Sequence, residues 1–463
     1  MEARSLKFVA SACAGVLKSD SPRTLVLRVS TDSRQAQPGD LFVALRGERF
    51  DGHDFVGEVA EKNVAGVVVE SGKAPSTLAN CAVIEVDDTR RALGKVAAAY
   101  RKDFSLPIVA VGGSNGKTTT KELIAAVLRQ KLKTVWSEAS FNNDIGVPMT
   151  LLKLEMQTQA AVLEAGTNHP GELAPLVTMI QPRYGVITSI GREHLEFFGD
   201  LAGVAEEEGA LAELLPDDGK LFLNGDSEWT EKIAARSHAR VVRVGLSENN
   251  DWRARNVHMD RNGIEFHVDA PDEKFSGDYR IKLFGRHQVT NALFAVAVGA
   301  ELKLSREEIQ HGLLECNPSK MRMQLLEVAG VSVLDDAYNA NADSMLAALE
   351  TLRDFEGRRI AVLGDMAELG AHAKAAHEEV GRHVAESGAD HFFAVGKWAG
   401  VMAAAARSAG LGEVDEFADV EEAANAVKNF VRPGDIVLVK ASRTMRLERV
   451  ADALRNKTIS EQA

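Results

Sequence analysis

The stretch "PIVAVGGSNGKTTTKE", residues 107–122, decides how the rest of the chain is read. Pro107 opens a continuous apolar run of the kind found in a strand covered on both faces. A glycine-rich turn follows, then Lys117 and Thr118, then residues that suit a helix. Strand, glycine loop and helix in that order make a phosphate-binding loop. Glycines let backbone N–H groups close on phosphate oxygens, and the helix N-terminus adds positive potential. Lys117 is placed to reach β- and γ-phosphates and the Thr118 hydroxyl to ligate Mg²⁺, with Gly113, Ser114, Asn115, Gly116 and Thr119 completing the loop. The GxxxxGK[ST] spacing is not met in full, because Val111 stands where its first glycine belongs.

Working outward, strand-like and helix-like segments alternate after the loop. "AAVLE" (160–164), "GVITSI" (185–190), "KLFLN" (220–224) and "VVRV" (241–244) read as strands of a parallel sheet with crossover helices. The stretch 264–284 reads as antiparallel strands appended to it. "SREE" at Ser305–Glu308 is a capping box opening a helix. Upstream, "LFVAL", "GVVVE" and "AVIEV" belong to a small α/β unit, and "LKFVASACAGVL" near the start reads as an amphipathic helix. From about residue 319 a second alternation begins, with "VSVLD", "RRIAVL", "HFFAV" and "DIVLV" as strands. The expected fold is therefore α/β in three domains: 1–104, a central parallel-sheet domain of P-loop type over 105–318, and a Rossmann-like domain over 319–463. Hinges are expected near 104–107 and 315–320.

Composition narrows the function. A formal charge of −13 argues against a nucleic-acid binder, while leaving room for a local positive pocket. Cys13, Cys81 and Cys316 are far apart and in no CxxC spacing, which suits reduced thiols in the cytoplasm. No apolar run reaches the ~18 residues of a membrane span. Nothing calls for an oligomer, and a monomer is expected.

Two further strands end in possible metal ligands: Glu164 closes "AAVLE", and His194 stands just past "GVITSI". In a parallel sheet the C-terminal strand ends share one edge with the phosphate loop. Alone, an isolated Glu is more often a surface charge and an isolated His a hydrogen-bonded structural residue. Their coincidence with the GKT triplet points to a Mg²⁺ site.

With these residues in view the chain resembles the Mur ligases. "GSNGKTTTKE", "FNNDIGVPMTLL", "EAGTNHPGEL", "HLEFFGDLAGVAEEEG", "LNGD", "GRHQVTNALFAVA", "DDAYNANADSM", "VLGDMAELG" and "KASR" fall in that family's order, and "STDSRQAQPGDLFVALRGERFDGHDF" fits its N-terminal domain. "DDAYNAN" and "GDMAELG" look most like the branch that joins D-alanyl-D-alanine to UDP-N-acetylmuramoyl-tripeptide through an acyl phosphate. The resemblance implies ATP and Mg²⁺ as cofactors, those two small molecules as partners, and a place in cytoplasmic peptidoglycan precursor synthesis. It implies that Ser33, Arg34, Gly47, Asp51 and His53 meet the UDP end, and Asn142 and Asn143 the diphosphate–sugar region. ATP would meet the loop together with Asn291, Arg322 and Asp336. Tyr338, Asn339 and Asn341 would lie near the peptide. Lys117, Glu164, His194 and Glu208 would be the catalytic set, with Thr118, Glu164, His194 and Glu208 about the metal.

Three departures stand out. Gln288 replaces the first Asn of the family's HNxxN, and Ala441 replaces the Gly of KGSR. Glu208 stands where the family usually carries a carbamoylated lysine. Taking Asp200 as N-cap, Glu208 falls in line with Leu201, Val204, Leu211 and Leu215, the apolar stripe, whereas Glu206 falls on the solvated side. Glu208 is thus expected to face inward and to stand in for the carbamate. Two other classes are compatible with a phosphate loop, an ATP-driven switch and a catalytically inert scaffold. "DSR" and "RGERFDGHDF" speak against the first, and the joint presence of GKT, Glu164 and His194 against the second.

Overall fold

The structure is a computed structural model that describes all residues except 20, 48, 75–77, 79, 80 and 461–463. It contains three main sheets in chain order. In the first, Arg28–Ser30, Asp40–Val43, Gly66–Glu70 and Ala82–Val86 run parallel, and Val16–Lys18 pairs antiparallel at the edge. The expected N-terminal helix is shorter than "LKFVASACAGVL". It spans Leu6–Cys13 and ends at Ala14, whose left-handed backbone turns the chain into that edge strand.

The central sheet has nine strands, and the strand that feeds the phosphate loop lies deep within it. Ile108–Gly112 is flanked by Ala160–Glu164 on one side and Tyr184–Ile187 on the other, all parallel. The ends of these three strands therefore emerge side by side on one edge. Trp252–Asp260 continues the sheet and forms a hairpin with Gly263–Asp269, after which Gly277–Ile281 completes the antiparallel end. The sequence reading missed Trp252–Asp260. Its outer face carries Arg253, Arg255, Asn256 and His258, and that polarity hides the alternation.

In the third sheet Asp435–Lys440 sits between Val331–Asp335 and Arg358–Leu363. The chain passes to opposite sides of that strand, and such a reversal leaves a crevice beyond the strand ends. The two edge strands Gln324–Val328 and Val414–Phe417 are short and partly exposed, and were not legible as strands.

The domains are joined in two different ways. The helix Thr89–Arg101 belongs to the first α/β unit, but its buried Leu93, Val96 and Ala97 share one apolar cluster with Leu6, Val9 and Ile84 on one side and Val147, Leu151 and Leu173 on the other. Buried Arg101 donates to the carbonyls of Ile180 and Gln181 at 2.9 and 3.1 Å, and the Tyr100 hydroxyl to that of Leu154 at 2.6 Å. This joint has no room for the hinge expected near 104–107, because bending there would open a continuous core. The joint to the third sheet combines an apolar contact, Phe284 and Met259 on the third unit's cluster, with a set of polar pairs. Arg192 pairs with Asp343 at 2.7 Å and Glu379 at 2.5 Å, and the Asn341 amide donates to Asn115 at 3.0 Å.

Candidate active site

The phosphate loop is built by local necessity. Gly113 and Gly116 have φ of +104° and +88°, a region that suits glycine. A side chain on Gly113 would strike Thr188, and one on Gly116 would come within 2.5 Å of Asn291. The helix Lys117–Leu128 then starts directly at Lys117. The Lys117 ammonium donates to the loop's own carbonyls, at Gly113 (2.5 Å) and Ser114 (3.0 Å), and lies 3.4 Å from Glu193. Burial works against its charge, but Glu193, Glu208 and Glu164 outweigh that and raise its pKa.

Glu164 ends its strand fully buried. One carboxylate oxygen accepts from Asn142 at 2.9 Å, and the other has no partner. Glu208 also behaves as expected: Asp200 caps its helix, Glu206 is exposed and Glu208 is completely buried. Its Oε2 accepts from the Gly113 N–H at 2.6 Å, while Oε1 is buried and unpaired. Burial drives its pKa up to about 7, against the pull of Lys117 and Gly113. Three carboxyl groups face one ammonium, so negative charge is in excess once Glu208 ionises, and two of those groups, Glu164 and Glu208, each hold an orphaned oxygen. Such oxygens are costly to bury unpaired, and they suit a hard cation. Among the described residues no three His, Cys, Asp or Glu form a closed metal cage. Mg²⁺ commonly takes one or two carboxylates and completes its shell with phosphate and water, so the donor set fits it.

Strand ends, loop and third sheet enclose a cleft of about 670 Å³. Of the expected nucleotide residues, Ser114 through Thr119, Asn291, Arg322 and Asp336 all line it, as do Glu164, His194, Asn142, Tyr338, Asn339 and Asn341. Asn291 is held at both ends, accepting from Thr120 at 3.2 Å and donating to Gln288 at 2.8 Å. Gln288 thereby finds a use as the brace of Asn291. Arg322 stacks over Tyr338, whose hydroxyl donates to Ser140. Asp336 accepts from Lys440 at 2.6 Å. Ala441 has no left-handed backbone, and its methyl faces Gly364, where a Cβ would come within 2.8 Å of it. The missing glycine at 441 is thus balanced by one at 364.

The expected uridine-end residues lie elsewhere, outside the cleft lining. Asp51 accepts from the His53 N–H at 3.0 Å and meets its Nδ1 at 2.5 Å, while His53 Nε2 accepts from Glu70 at 3.0 Å. Both ring nitrogens of His53 are thus used inside the domain. His53 shapes this loop through these bonds. Asn143 spends its side-chain oxygen on the N–H groups of Ile145 and Gly146. Arg34 is exposed and paired with Asp32, Ser33 accepts from Lys62 through its carbonyl, and the Gly47 N–H donates to Phe50. Sequence reading missed Glu193 and Glu368. Glu193 directly precedes the singled-out His194, and Glu368 lies in the quoted "GDMAELG", so both were next to a marked feature.

Comparison with known proteins places most of the chain in one family. Residues 26–101 match the Mur ligase family catalytic domain, 111–299 the Mur ligase middle domain, and 321–443 the Mur ligase glutamate ligase domain. The chain is a member of the Mur ligase family. Among this Mur ligase's relatives is UDP-N-acetylmuramoyl-tripeptide–D-alanyl-D-alanine ligase of Escherichia coli (strain K12), 38% identical over 92% of this chain and 93% of that one. The Bacillus subtilis (strain 168) protein of the same name is 34% identical over 97% and 98%. Among solved structures, MurF from Acinetobacter baumannii superposes with a TM-score of 0.90 at 32% identity, covering 98% and 99% of the two chains. MurF from Thermotoga maritima, solved with ADP, gives 0.83 at 26% identity over 95% and 99%. No helix of the described residues is long and apolar enough to cross a membrane.

Proposed function

We propose that this Mur ligase joins D-alanyl-D-alanine to UDP-N-acetylmuramoyl-tripeptide at the expense of ATP. The observation that carries this reading is the cleft itself. A phosphate loop, a buried lysine and the carboxylate of Glu164 with its orphaned oxygen meet a crevice of a second domain, with Glu208 buried behind the loop, in a chain akin over nearly its full length to ligases of that name.

A carboxylate does not condense with an amine in neutral water, because its leaving group is too poor. In the proposed reaction the tripeptide's terminal carboxylate oxygen attacks the γ-phosphorus and ADP departs, leaving an acyl phosphate. The dipeptide's amine nitrogen then attacks the acyl carbon, loses a proton, and expels phosphate. Lys117 turns from the loop carbonyls to the transferring phosphoryl group and steadies its charge. The loop N–H groups hold the phosphates, and the braced Asn291 holds the nucleotide. The third domain keeps water from the acyl phosphate. Mg²⁺, taken by Thr118, Glu164, His194 and Glu208, would neutralise charge on the phosphates. Glu208 stands in for the family's carbamoyl-lysine, so the enzyme needs no bicarbonate.

The working domain units are 1–104, 105–318 and 319–463, with Ser33, Arg34, Gly47, Asp51 and His53 toward the uridine end and Asn142 and Asn143 toward the diphosphate–sugar. The site belongs to a monomeric cytoplasmic enzyme. The test is the product mass after incubation with ATP, UDP-tripeptide and candidate dipeptides. A mass equal to the two substrates less one water supports the reading; ADP formed without that product overturns it.

A further inference from the structure

The loop 366–372 of the third domain lies on the turn 194–199 of the central one. The Glu196 N–H donates to the Glu368 carbonyl at 3.1 Å, and His372 Nε2 donates to the Gly199 carbonyl at 3.0 Å. Gly370, with φ of +50°, lets the two backbones close: a Cβ there would come within 3.2 Å of the Glu196 Cα. The loop is also tied down from beneath. Buried His377 accepts from the Met366 N–H at 3.0 Å, donates to the Ala373 carbonyl at 2.6 Å, and stacks on Trp398.

On this platform Glu368 Oε2 meets His194 Nδ1 at 2.5 Å. The two residues come from different domains, and both line the cleft. Both hold left-handed backbone, with φ of 50° and 58°. Such conformations cost non-glycine residues energy and persist where the surroundings enforce them, often at working sites. A carboxylate on Nδ1 keeps the imidazole proton on that nitrogen and leaves the lone pair on Nε2. Carboxylates orient metal-binding histidines in this way. Among the described residues Nε2 has no hydrogen-bond partner.

We propose that Glu368 is a positioning residue supplied by the third domain: by holding Nδ1 of His194 it turns Nε2 toward the cation of the nucleotide site. The inference rests on the ligase reading for the identity of that cation. It makes domain closure and readiness of the imidazole one event. By reciprocity, a cation on His194 favours the closed arrangement.

The test uses the full-length chain with ¹⁵N-labelled histidine, free of metal and nucleotide, with the His194 signals assigned by their loss in His194→Asn. In the native chain His194 carries its proton on Nδ1. Glu368→Ala gives a mixture with the Nε2–H form. Glu368→Gln keeps the Nδ1–H form, because the amide oxygen still accepts. All three retain the backbone bond from Glu196, so loss of loop docking does not explain a difference between them. In ligation assays the Mg²⁺ concentration for half-maximal rate rises about tenfold in Glu368→Ala, stays near native in Glu368→Gln, and KM for the dipeptide does not move. An unchanged tautomer and Mg²⁺ requirement in Glu368→Ala overturns the proposal, as does a Glu368→Gln chain that matches Glu368→Ala. A native chain that never ligates refutes the ligase reading instead, and the tautomer measurement, which needs no turnover, still decides the role of Glu368.

Discussion

The two inter-domain joints of this molecule do opposite jobs. The first α/β unit and the central sheet share one apolar cluster through the helix Thr89–Arg101, sealed by Arg101 and Tyr100. The central and third units instead meet chiefly across charges and hydrogen bonds, among them Arg192–Asp343, Arg192–Glu379, His194–Glu368 and Asn115–Asn341, beside an apolar contact of Phe284 on Phe355. Apolar joints lose stability steeply when opened, whereas partly exposed ion pairs are worth little and can be remade. The phosphate loop stands at the second joint. The difference teaches that in this chain rigidity and chemistry are assigned to separate boundaries. Changes at the first should cost stability, and changes at the second should cost turnover.

The largest effect is expected at the first joint. Tyr100→Ala empties a fully buried site and strands the Leu154 carbonyl, at a cost of about 3–5 kcal/mol. Chemical denaturation should show the first two units losing stability together. A loss confined to the first unit would break the comparison. Next comes Lys117→Ala at the second joint. Turnover should fall about a thousandfold, equivalent to ~4 kcal/mol of transition-state stabilisation, and stability should fall as well, because Glu164, Glu193 and Glu208 lose the cation that faces them. Near-native turnover by the folded variant would remove Lys117 from the chemistry.

Glu208 gives an effect of intermediate size, with a sign fixed by proton binding. Its ordinary value is 4.5, and burial raises it to about 7. Between those values the unfolded chain has lost this proton and the folded chain keeps it. The group therefore makes stability fall as pH rises from 4.5 to about 7, and its effect is level above that. Without ligands, Glu208→Gln should be more stable than the native chain by about 3 kcal/mol at pH 8, and no more stable at pH 4. The same variant should lose activity and its native Mg²⁺ dependence. Wild-type activity in Glu208→Gln, or a native enzyme slowed by removing bicarbonate, would refute Glu208 as the carbamate's stand-in. The smallest effect on stability is that of Arg192→Ala, under about 1 kcal/mol. Solution scattering should nonetheless show a more extended chain, and turnover should drop. An unchanged profile would mean that the polar contacts do not hold the joint.

The central strands and the phosphate loop were legible because parallel strands buried on both faces are written as continuous apolar runs, and because Gly113 and Gly116 are demanded by their backbone. The inward turn of Glu208 was readable from its seven-residue spacing to Leu201 and Leu215. Trp252–Asp260 and the edge strands were not, since a half-exposed face dilutes the pattern. The joints were beyond reach for a different reason. Tyr100 and Leu154, or His194 and Glu368, are brought together only by the fold, and nothing local marks one as the partner of the other. Nor does anything local mark Glu70 as a partner of His53, whose Nε2 accepts from its N–H.

Phosphate release by the native chain, followed continuously with substrates added one at a time, bears most directly on the cleft at the polar joint. Release should begin only once ATP, UDP-N-acetylmuramoyl-tripeptide and D-alanyl-D-alanine are all present, with one phosphate per amide bond formed. Release at the same rate with ATP alone would contradict a ligase and would instead describe a protein that spends ATP on a change of shape.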